Sequence, residues 1–405
     1  MAVSFLSGDC RDILPTLGAG IFDCVVTSPP YWGLRDYGTA QWAGGDANCA
    51  HIGPPIMSAK TGLSHPERKS REHLLAEPYR NVGIPYREVC GKCGARRIDR
   101  QIGLEPTLDG YVETMRGVGR ELWRVLKPSG TFWLNLGDGY AGDGGFSPNA
   151  PSSKSSKSGV YGNLGALKPG GIKPAGGLKP KDLCGVPWRV AFALQADGWW
   201  LRSEVIWAKP NGMPGSQADR CTSSHETIFL LTKSANYWSD FDAIKTPPRE
   251  SSLIRLAQDV QAQAGSHRAN GGEKTNGPMK AVAARDKQRG HSRRHHGFNE
   301  RWDAMGKMQQ QSSPAMMRDV WFVPPEANRL AHFAIMPSEI ARRCILAGCP
   351  EGGHVLDPFG GAGTTGLVAD RLGRDATLID LNPDYRKMGA DRIVADAPLF
   401  VNISG

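Results

Sequence analysis

The sequence predicts an α/β fold, in which a doubly wound and mostly parallel sheet carries helices on both faces. Two stretches support this prediction. Residues 338–380 alternate helix, strand, helix and strand, and residues 3–27 have the pattern strand, turn, helix and strand. Strands that alternate with helices typically form parallel sheets. Because the chain has 405 residues, 40% of them hydrophobic, we expect one large core with insertions.

The predicted elements follow from short β-branched runs and from apolar residues at helical spacing. In the longest predicted helix, Val112, Met115, Leu122 and Val125 share one face, and a turn at residues 127–130 is expected to end it. The predicted helices cover residues 107–126, 187–196, 338–346 and 364–372. The predicted strands cover residues 3–6, 24–27, 131–136, 201–207, 226–232, 355–356 and 377–379.

Three polar, turn-rich segments interrupt this alternation, namely residues 42–101, 142–181 and 250–317. The second is rich in glycine, serine, proline and lysine, and the third is basic, most strongly at residues 285–296. Loops as long as the last two are either functional or disordered. The predicted core consists of the remaining segments, residues 1–41, 102–141, 182–249 and 318–405.

Composition and charge indicate which kind of binding partner and which cellular compartment to expect. The formal net charge is +9 and the pI about 9.1, which favours a polyanionic partner, most commonly nucleic acid. The nine cysteines are scattered, which is typical of a reducing cytosol and not of a disulfide framework. No signal-peptide pattern and no apolar run of roughly 18 residues is present, so we expect a cytoplasmic protein without a membrane partner.

A glycine-rich turn follows the predicted strand that ends at Asp357. Gly361 and Gly363 allow close approach to a ligand, and Thr364 begins the next helix, whose free N–H groups favour polar or anionic groups. Asp380 ends the following strand, where a carboxylate can accept hydrogen bonds from both hydroxyls of a ribose. The turn is not G-x-G-x-x-G, which speaks against a pyrophosphate cofactor. The alternative is an ordinary tight turn between strand and helix.

Ser28, Pro29, Pro30 and Tyr31 follow the second predicted strand. The prolines stiffen the backbone and remove two N–H donors, so that a hydroxyl and carbonyl oxygens remain as acceptors. Such a site suits a flat ring that stacks on Tyr31 and donates its amino hydrogens to Ser28 and the Pro29 carbonyl. These hydrogen bonds favour a tetrahedral nitrogen, whose lone pair can attack an electrophilic methyl group. The alternative is a Pro-Pro loop in which Tyr31 is a packing residue.

Together these motifs resemble those of the amino-group DNA methyltransferases that use S-adenosyl-L-methionine. The family's cofactor motif D-P-F-x-G-x-G-T is matched by residues 357–364, and its catalytic motif (S/D/N)-P-P-(Y/F) by residues 28–31. The resemblance implies a Rossmann-like seven-stranded methyltransferase sheet, double-stranded DNA as the partner and a flipped target base. It also implies a cofactor site formed by Asp9, Asp357, Phe359, Gly361, Gly363, Thr364 and Asp380.

The order of the two motifs, catalytic before cofactor, resembles the permuted β class of this family. It excludes the methyltransferases that act on glutamine, in which N-P-P-Y follows the cofactor motif. Serine at position 28 favours cytosine N4 as the target, because Asp-Pro-Pro or Asn-Pro-Pro accompanies adenine N6 in the family. Adenine N6 is the alternative target. A second alternative is a zinc-stapled DNA-binding protein without transferase activity.

The segment 42–101 also carries a C-x-H pair and a C-x-x-C pair. Cys49, His51, Cys90 and Cys93 together would form a closed tetrahedral site, typical of structural Zn²⁺. The segment has few apolar residues for its size, so that a metal would hold it together. The alternative is a loop with reduced, unpaired cysteines.

Two long segments and two partners complete the hypotheses. Residues 250–317 either track DNA phosphates as a target-recognition region or form a solvated loop. Residues 142–181 either close over DNA or form a flexible linker. The resemblance adds a homodimer and a cognate restriction nuclease as partner hypotheses.

Overall fold

The computed structural model describes residues 1–33, 37, 39–51, 89–141, 177–212, 218–248, 250, 251, 254, 314–326 and 335–396, and the backbone of 402–404. In chain order its strands are β1 (Ala2–Ser7), β2 (Phe22–Thr27), β3 (Gln41–Ala43), β4 (Arg96–Ile98), β5 (Leu126–Leu136), β6 (Trp200–Ala208), β7 (His225–Thr232), β8 (Val320–Phe322), β9 (His354–Asp357), β10 (Asp375–Asp380) and β11 (Asn402–Ser404). Its helices are α1 (Cys10–Ile13), α2 (Leu108–Val125), α3 (Val186–Ala196), α4 (Ser338–Gly348), α5 (Thr364–Arg371) and α6 (Pro383–Asp396).

Nine of these strands form one sheet in the order β11-β1-β10-β9-β2-β5-β7-β6-β8, while β3 and β4 pair separately as an antiparallel hairpin. Within the large sheet, β7 runs antiparallel to β5 and β6, and the other pairs are parallel. The predicted mostly parallel, seven-stranded α/β sheet is therefore confirmed in the seven central strands. The short strands β11 and β8 extend its two edges.

The pairing of β2 with β9 joins the beginning of the chain to its end. Cys24 lies opposite Val355 and Val25 opposite Leu356 in this parallel pair. Both strands are buried, as is typical of the centre of a parallel sheet. Since parallel strands end at the same edge, the segments that follow β2 and β9 are placed side by side.

Helix α2 covers the sheet with the face that the sequence predicts. The Thr107 hydroxyl caps it by accepting a hydrogen bond from the Gly110 N–H. Met115, Leu122 and Val125 are buried. The expected turn at residues 127–130 is wrong, because these residues belong to β5. An irregular register opposite Phe22 and Cys24 accommodates them, so that the chain passes from α2 to β5 without a separate turn.

The chain divides into two compact units, residues 1–239 with 320–405, and residues 240–319. In the smaller unit the described residues include a 3₁₀ turn at Phe241–Ile244 and an isolated bridge between Thr246 and Ala315. Most of the predicted loop 142–181 and of the basic region 250–317 lies outside the described residues. The domain boundaries given above therefore remain predictions. No helix in the described part of the chain is long and apolar enough to cross a membrane.

Candidate active site

A cavity of about 330 Å³ lies where the parallel strands of the large unit end. It is lined by the segments that follow β1, β2, β9 and β10, and by side chains from β5, β6 and β7. Of the residues predicted for the catalytic and cofactor sites, those that line it are Asp9, Ser28, Pro29, Pro30, Tyr31, Asp357, Phe359, Gly361, Thr364 and Asp380. The structure therefore brings both motifs, which are more than 300 residues apart, to one cavity.

Gly363 is an exception to this grouping, because it does not line the cavity. It precedes α5 with a φ of +75°, and a Cβ atom there would lie 2.8 Å from the Cα of Gly389 in α6. Its small size is therefore required for the close packing of α5 and α6 and for a left-handed backbone. Gly361 also has a positive φ, of +49°, but faces the cavity.

Asp357 is the most enclosed carboxyl group of the cavity, and its residue is 4% exposed. Its Oδ1 accepts hydrogen bonds from the Thr27 hydroxyl at 2.6 Å and from the Phe359 N–H at 3.0 Å. Its Oδ2 accepts one from the Thr365 hydroxyl at 2.7 Å. Burial raises the pKa of Asp357 to about 6. This carboxyl group thus connects the end of β2 with the turn after β9 and the first turn of α5.

The raised pKa of Asp357 predicts a pH dependence of stability. Relative to 3.8 for an exposed aspartate, a folded-state value of about 6 means that the folded protein binds this proton more tightly. The resulting stabilisation is complete below the lower value and is lost as the pH rises through the higher one. We expect the free energy of unfolding, relative to an Asp357→Asn variant, to fall by roughly 3 kcal/mol over this range. Urea unfolding across the range measures it, and a pH-independent difference would contradict the assignment.

Asp380 and Asp9 are both acidic residues of the cavity, but their partners differ. Asp380 accepts hydrogen bonds from the N–H groups of Gly361 at 2.8 Å and Asn382 at 2.7 Å, and burial raises its pKa. The burial of Asp9 is outweighed by hydrogen bonds from Arg11, which lower its pKa. Arg100 also lies 3.4 Å from Asp9. Among the described residues, the hydrogen bonds to Asp380 thus come from backbone amides, whereas the Asp9 carboxylate is paired with Arg11.

The Ser28–Tyr31 segment is fixed by polar contacts on both sides. The Tyr111 hydroxyl donates to the Pro30 carbonyl at 3.0 Å, and the Trp32 indole N–H donates to the Glu105 carbonyl at 2.9 Å. A Cβ atom at Gly137 would lie 2.6 Å from the Tyr31 ring, so that the ring packs directly against the backbone after β5. These contacts therefore hold the segment in one conformation directly after the end of β2.

A hydrogen-bond network joins Ser28 to Tyr31, to Asn135 on β5 and to Glu226 on β7, and through Glu226 to Lys209, which directly follows β6. The Tyr31 hydroxyl donates to Glu226 Oε2 at 2.5 Å and lies 3.1 Å from Ser28 Oγ. The Asn135 amide donates to Glu226 Oε2 and to the Tyr31 hydroxyl, both at 2.9 Å, and lies 3.3 Å from Ser28 Oγ. Lys209 donates to Glu226 Oε1 at 2.5 Å. Burial, followed by the charge of Glu226, raises the pKa of Tyr31, which keeps its hydroxyl protonated.

Asn135, Lys209 and Glu226 were not predicted as site residues. A signal was present in the sequence, since Asn135 interrupts an apolar run and Glu226 precedes another. Polar residues within buried strands need hydrogen-bond partners, which often belong to functional sites. Identifying the partners required the register of β5, β6 and β7.

The four predicted metal ligands also come together. The ligand atoms of Cys49, His51, Cys90 and Cys93 all lie within 4.8 Å of one another. Backbone hydrogen bonds from Ala95 and Asp46 lower the pKa of Cys93 to about 6. This favours the thiolate, the form in which cysteine binds metals.

Comparisons with known proteins give the family of the chain. The N6/N4 DNA methylase family profile matches residues 22–391. The type II methyltransferase M.SmaI of Serratia marcescens is 33% identical over 387 residues, which cover 96% of this chain and 89% of the relative. M.Cfr9I of Citrobacter freundii is 32% identical over 402 residues, which cover 99% and 91%. Among solved structures, the cytosine-N4-specific PvuII DNA methyltransferase is 14% identical, with a TM-score of 0.49 and coverage of 97% of this chain and 86% of its own. The chain belongs to the N6/N4 DNA methylase family.

Proposed function

We propose that this protein transfers a methyl group from S-adenosyl-L-methionine to the exocyclic N4 amino group of cytosine in double-stranded DNA. The observation that carries this proposal is that Ser28–Tyr31 and the turn after Asp357 line the same cavity. A methyl donor in one half and a base in the other would meet without leaving the cavity. Family membership supports the reaction type.

The residues after β9 and β10 fit a cofactor with a ribose and no phosphates. Asp380 has a carboxylate whose hydrogen bonds come from backbone amides, so that lone pairs remain for ribose hydroxyls. Phe359 offers an aromatic ring, and the backbone at Gly361 can approach the ligand closely. The cavity volume lies within the range of small-molecule sites, roughly 300–1,000 Å³. When bound, the cofactor supplies an electrophilic methyl group.

Ser28 and the Pro29 carbonyl are the proposed acceptors for the amino group of a flipped base. Because Tyr31 donates to Glu226, the Ser28 hydroxyl can donate to Tyr31 and keep a lone pair for the base. Acceptors at the two amino hydrogens favour a tetrahedral nitrogen with an available lone pair. The attack needs this lone pair and no strong base, and the proton leaves afterwards to solvent.

The choice of cytosine depends mainly on residue 28. Serine here, in place of aspartate or asparagine, favours cytosine N4 through the family resemblance stated above. The carboxylate of Glu226 does not replace a catalytic aspartate, because Lys209 and Tyr31 already pair with it. Adenine N6 is the alternative, since both bases present an amino group on a ring carbon next to a ring nitrogen.

Labelled methyl transfer and calorimetry test the reaction type. We expect the protein to transfer the label from S-adenosyl-L-methionine to unmethylated DNA and to bind the cofactor in the absence of DNA. The competing function is a zinc-stapled DNA-binding protein without transferase activity. It predicts DNA binding with neither cofactor binding nor transfer, and that result would refute the proposal.

The names of the relatives suggest the biological system in which this protein acts. Both M.SmaI and M.Cfr9I are type II methyltransferases. We therefore propose that this protein serves a restriction–modification system with a cognate nuclease. A homodimer remains a further hypothesis, which sedimentation of the purified protein would test.

Glu226→Gln is predicted to slow methyl transfer by about tenfold. This factor corresponds to the difference in free energy between a hydrogen bond to a charged acceptor and one to a neutral acceptor. The amide would lose the ion pair with Lys209 and accept less strongly from Tyr31, so that Ser28 is held less firmly. The affinity for the cofactor should not change. Glu204→Gln, on the neighbouring strand and outside the cavity lining, is the matched control. Single-turnover kinetics measure the effect, and equal rates in both variants would exclude a positioning role for Glu226.

A further inference from the structure

The metal-ligand cluster has the spacing of a tetrahedral zinc site. Cys49 Sγ lies 3.7 Å from Cys90 Sγ, and Cys93 Sγ lies 3.5 Å from His51 Nδ1. Zinc bonds of about 2.3 Å to sulfur and 2.0–2.1 Å to nitrogen place tetrahedral ligands roughly 3.5–3.8 Å apart. A disulfide would need a sulfur–sulfur distance of about 2.05 Å. These two pairs therefore have the separation of neighbouring ligands on one Zn²⁺, and all four ligand atoms lie within 4.8 Å of one another.

The backbone around the cluster is shaped for these ligands. The Cys90 N–H donates to the Ala95 carbonyl, and the Gly94 N–H donates to the Cys90 carbonyl, both at 2.8 Å. Gly94 has a φ of +76°, which closes this turn. Trp42 stacks on His51 with ring centroids 4.5 Å apart and fixes the plane of the imidazole.

Among the described residues, the hairpin of β3 and β4, beside which the cluster lies, buries few apolar side chains. Each strand has three residues, and isolated two-stranded hairpins are marginally stable in water. Around it, Cys90 and Ala95 are buried, but Val89 and Ile98 are about half exposed. A metal would supply the stabilisation that apolar burial does not.

The two ends of this hairpin form one wall of the cavity. Tyr37 and Thr39 precede β3, Arg100 and Gln101 follow β4, and all four line the cavity. The Gln101 side chain accepts a hydrogen bond from the Tyr37 N–H at 2.6 Å, which ties the two ends together.

Contacts from the same two ends reach the proposed cofactor half. The Arg11 guanidinium, which pairs with Asp9, also donates to the Arg100 carbonyl at 2.5 Å. The Asn382 amide lies 3.5 Å from the Tyr37 carbonyl, and the Tyr37 and Tyr385 rings lie edge to face at 6.3 Å. The position of the hairpin therefore determines the shape of the cavity beside Asp9 and Asp380.

We infer that Cys49, His51, Cys90 and Cys93 bind one Zn²⁺, and that this zinc holds the β3–β4 hairpin so that its two ends form the cofactor-side wall of the cavity. The second part of the inference depends on the proposed function, because it concerns the affinity for S-adenosyl-L-methionine. The zinc has a structural role here: it positions the hairpin and does not contact the cofactor or the target base.

The first test is the metal content of the full-length chain, purified without a histidine tag. Inductively coupled plasma mass spectrometry should find about one zinc ion per chain in the wild-type protein. Cys93→Ser should lose the zinc, and Cys93→His, which keeps four ligands, should retain it. Cys221→Ser is the matched control, because Cys221 is exposed and outside the cluster. A metal-free wild type, iron in place of zinc, or zinc retained in Cys93→Ser would overturn the assignment.

The second test is calorimetry of the cofactor with the same four proteins, after circular dichroism has shown that their sheets are intact. The dissociation constant should rise about tenfold in Cys93→Ser and stay near the wild-type value in Cys93→His and Cys221→Ser. Equal affinities in zinc-loaded and zinc-free proteins would overturn the coupling. If the wild-type protein binds zinc but not the cofactor, the zinc site is supported. The proposed function is then refuted, together with the coupling between zinc binding and cofactor affinity.

Discussion

Ser28→Ala is expected to slow methyl transfer by about 100-fold or more, while the dissociation constant of the cofactor stays unchanged. The alanine removes the oxygen that is proposed to accept a hydrogen bond from the target amino group. The cofactor-side residues are untouched, because Ser28 shares hydrogen bonds with Tyr31 and Asn135 and not with the turn after β9. Single-turnover transfer of labelled methyl groups and calorimetry measure the two quantities separately.

Ser203→Ala is the matched control for this substitution. Ser203 is partly buried in β6, donates to a backbone carbonyl at 3.2 Å and lies outside the cavity lining. Its loss should leave the transfer rate unchanged. If Ser28→Ala retains the wild-type rate, Ser28 is not the acceptor for the amino group, and Ser28–Tyr31 acts only as a structural loop.

Asp380→Ala is expected to have the complementary effect, a rise of about 100-fold or more in the dissociation constant of the cofactor. A hydrogen bond to a charged acceptor contributes about 1.5–3 kcal/mol to binding. The variant would lose two of them, one from each ribose hydroxyl of the cofactor. The variant also leaves the N–H groups of Gly361 and Asn382 without their acceptor, which loosens the turn. At saturating cofactor the transfer rate should recover towards that of the wild type.

Asp375→Ala provides the control at the opposite end of the same strand. Asp375 accepts a hydrogen bond from the Ala2 N–H at 2.8 Å and does not line the cavity. A similar loss of affinity in both variants would point to general damage to β10. Unchanged affinity in Asp380→Ala would exclude this carboxylate from the cofactor site.

Much of the fold could be predicted because its signals are local. β-branched runs, helical spacing and glycine turns mark β1, β2, β9 and β10 directly in the sequence. The turn predicted at residues 127–130 shows the limit of such signals. Lysine, proline and glycine favour a turn, but Lys127 pairs with Asp23 at 2.8 Å and the segment joins β5. The residues on either side, Leu126 and Thr131, pair with Phe22 and Cys24 of β2, and residues 127–130 lie in the register shift between these pairs.

The candidate site was predictable where a continuous motif, or a residue at a fixed place relative to one, marks it in the sequence. Ser28–Tyr31 and the turn after Asp357 are continuous segments, and both line the cavity. The network of Asn135, Lys209 and Glu226 is assembled from β5, from the residue after β6 and from β7, and β7 runs antiparallel between the other two strands. Their proximity depends on this pairing, which no spacing in the sequence encodes.

Asp9 illustrates a different limit. The family resemblance identified its position, and it does line the cavity. Its carboxylate, however, is held by Arg11, with Arg100 nearby, and the second of these comes from the segment after β4. Whether a carboxylate keeps lone pairs for a ligand depends on such distant partners, which is why Asp380 is the stronger candidate for the ribose.

Nucleoside analysis of methylated DNA tests the central claim most directly. Unmethylated genomic DNA is incubated with the protein and S-adenosyl-L-methionine, digested to nucleosides and separated by liquid chromatography with mass spectrometry. We predict N4-methylcytosine with the wild type and its absence with Ser28→Ala. N6-methyladenine would contradict the assignment of the base, and the absence of any methylated nucleoside would contradict the proposed function.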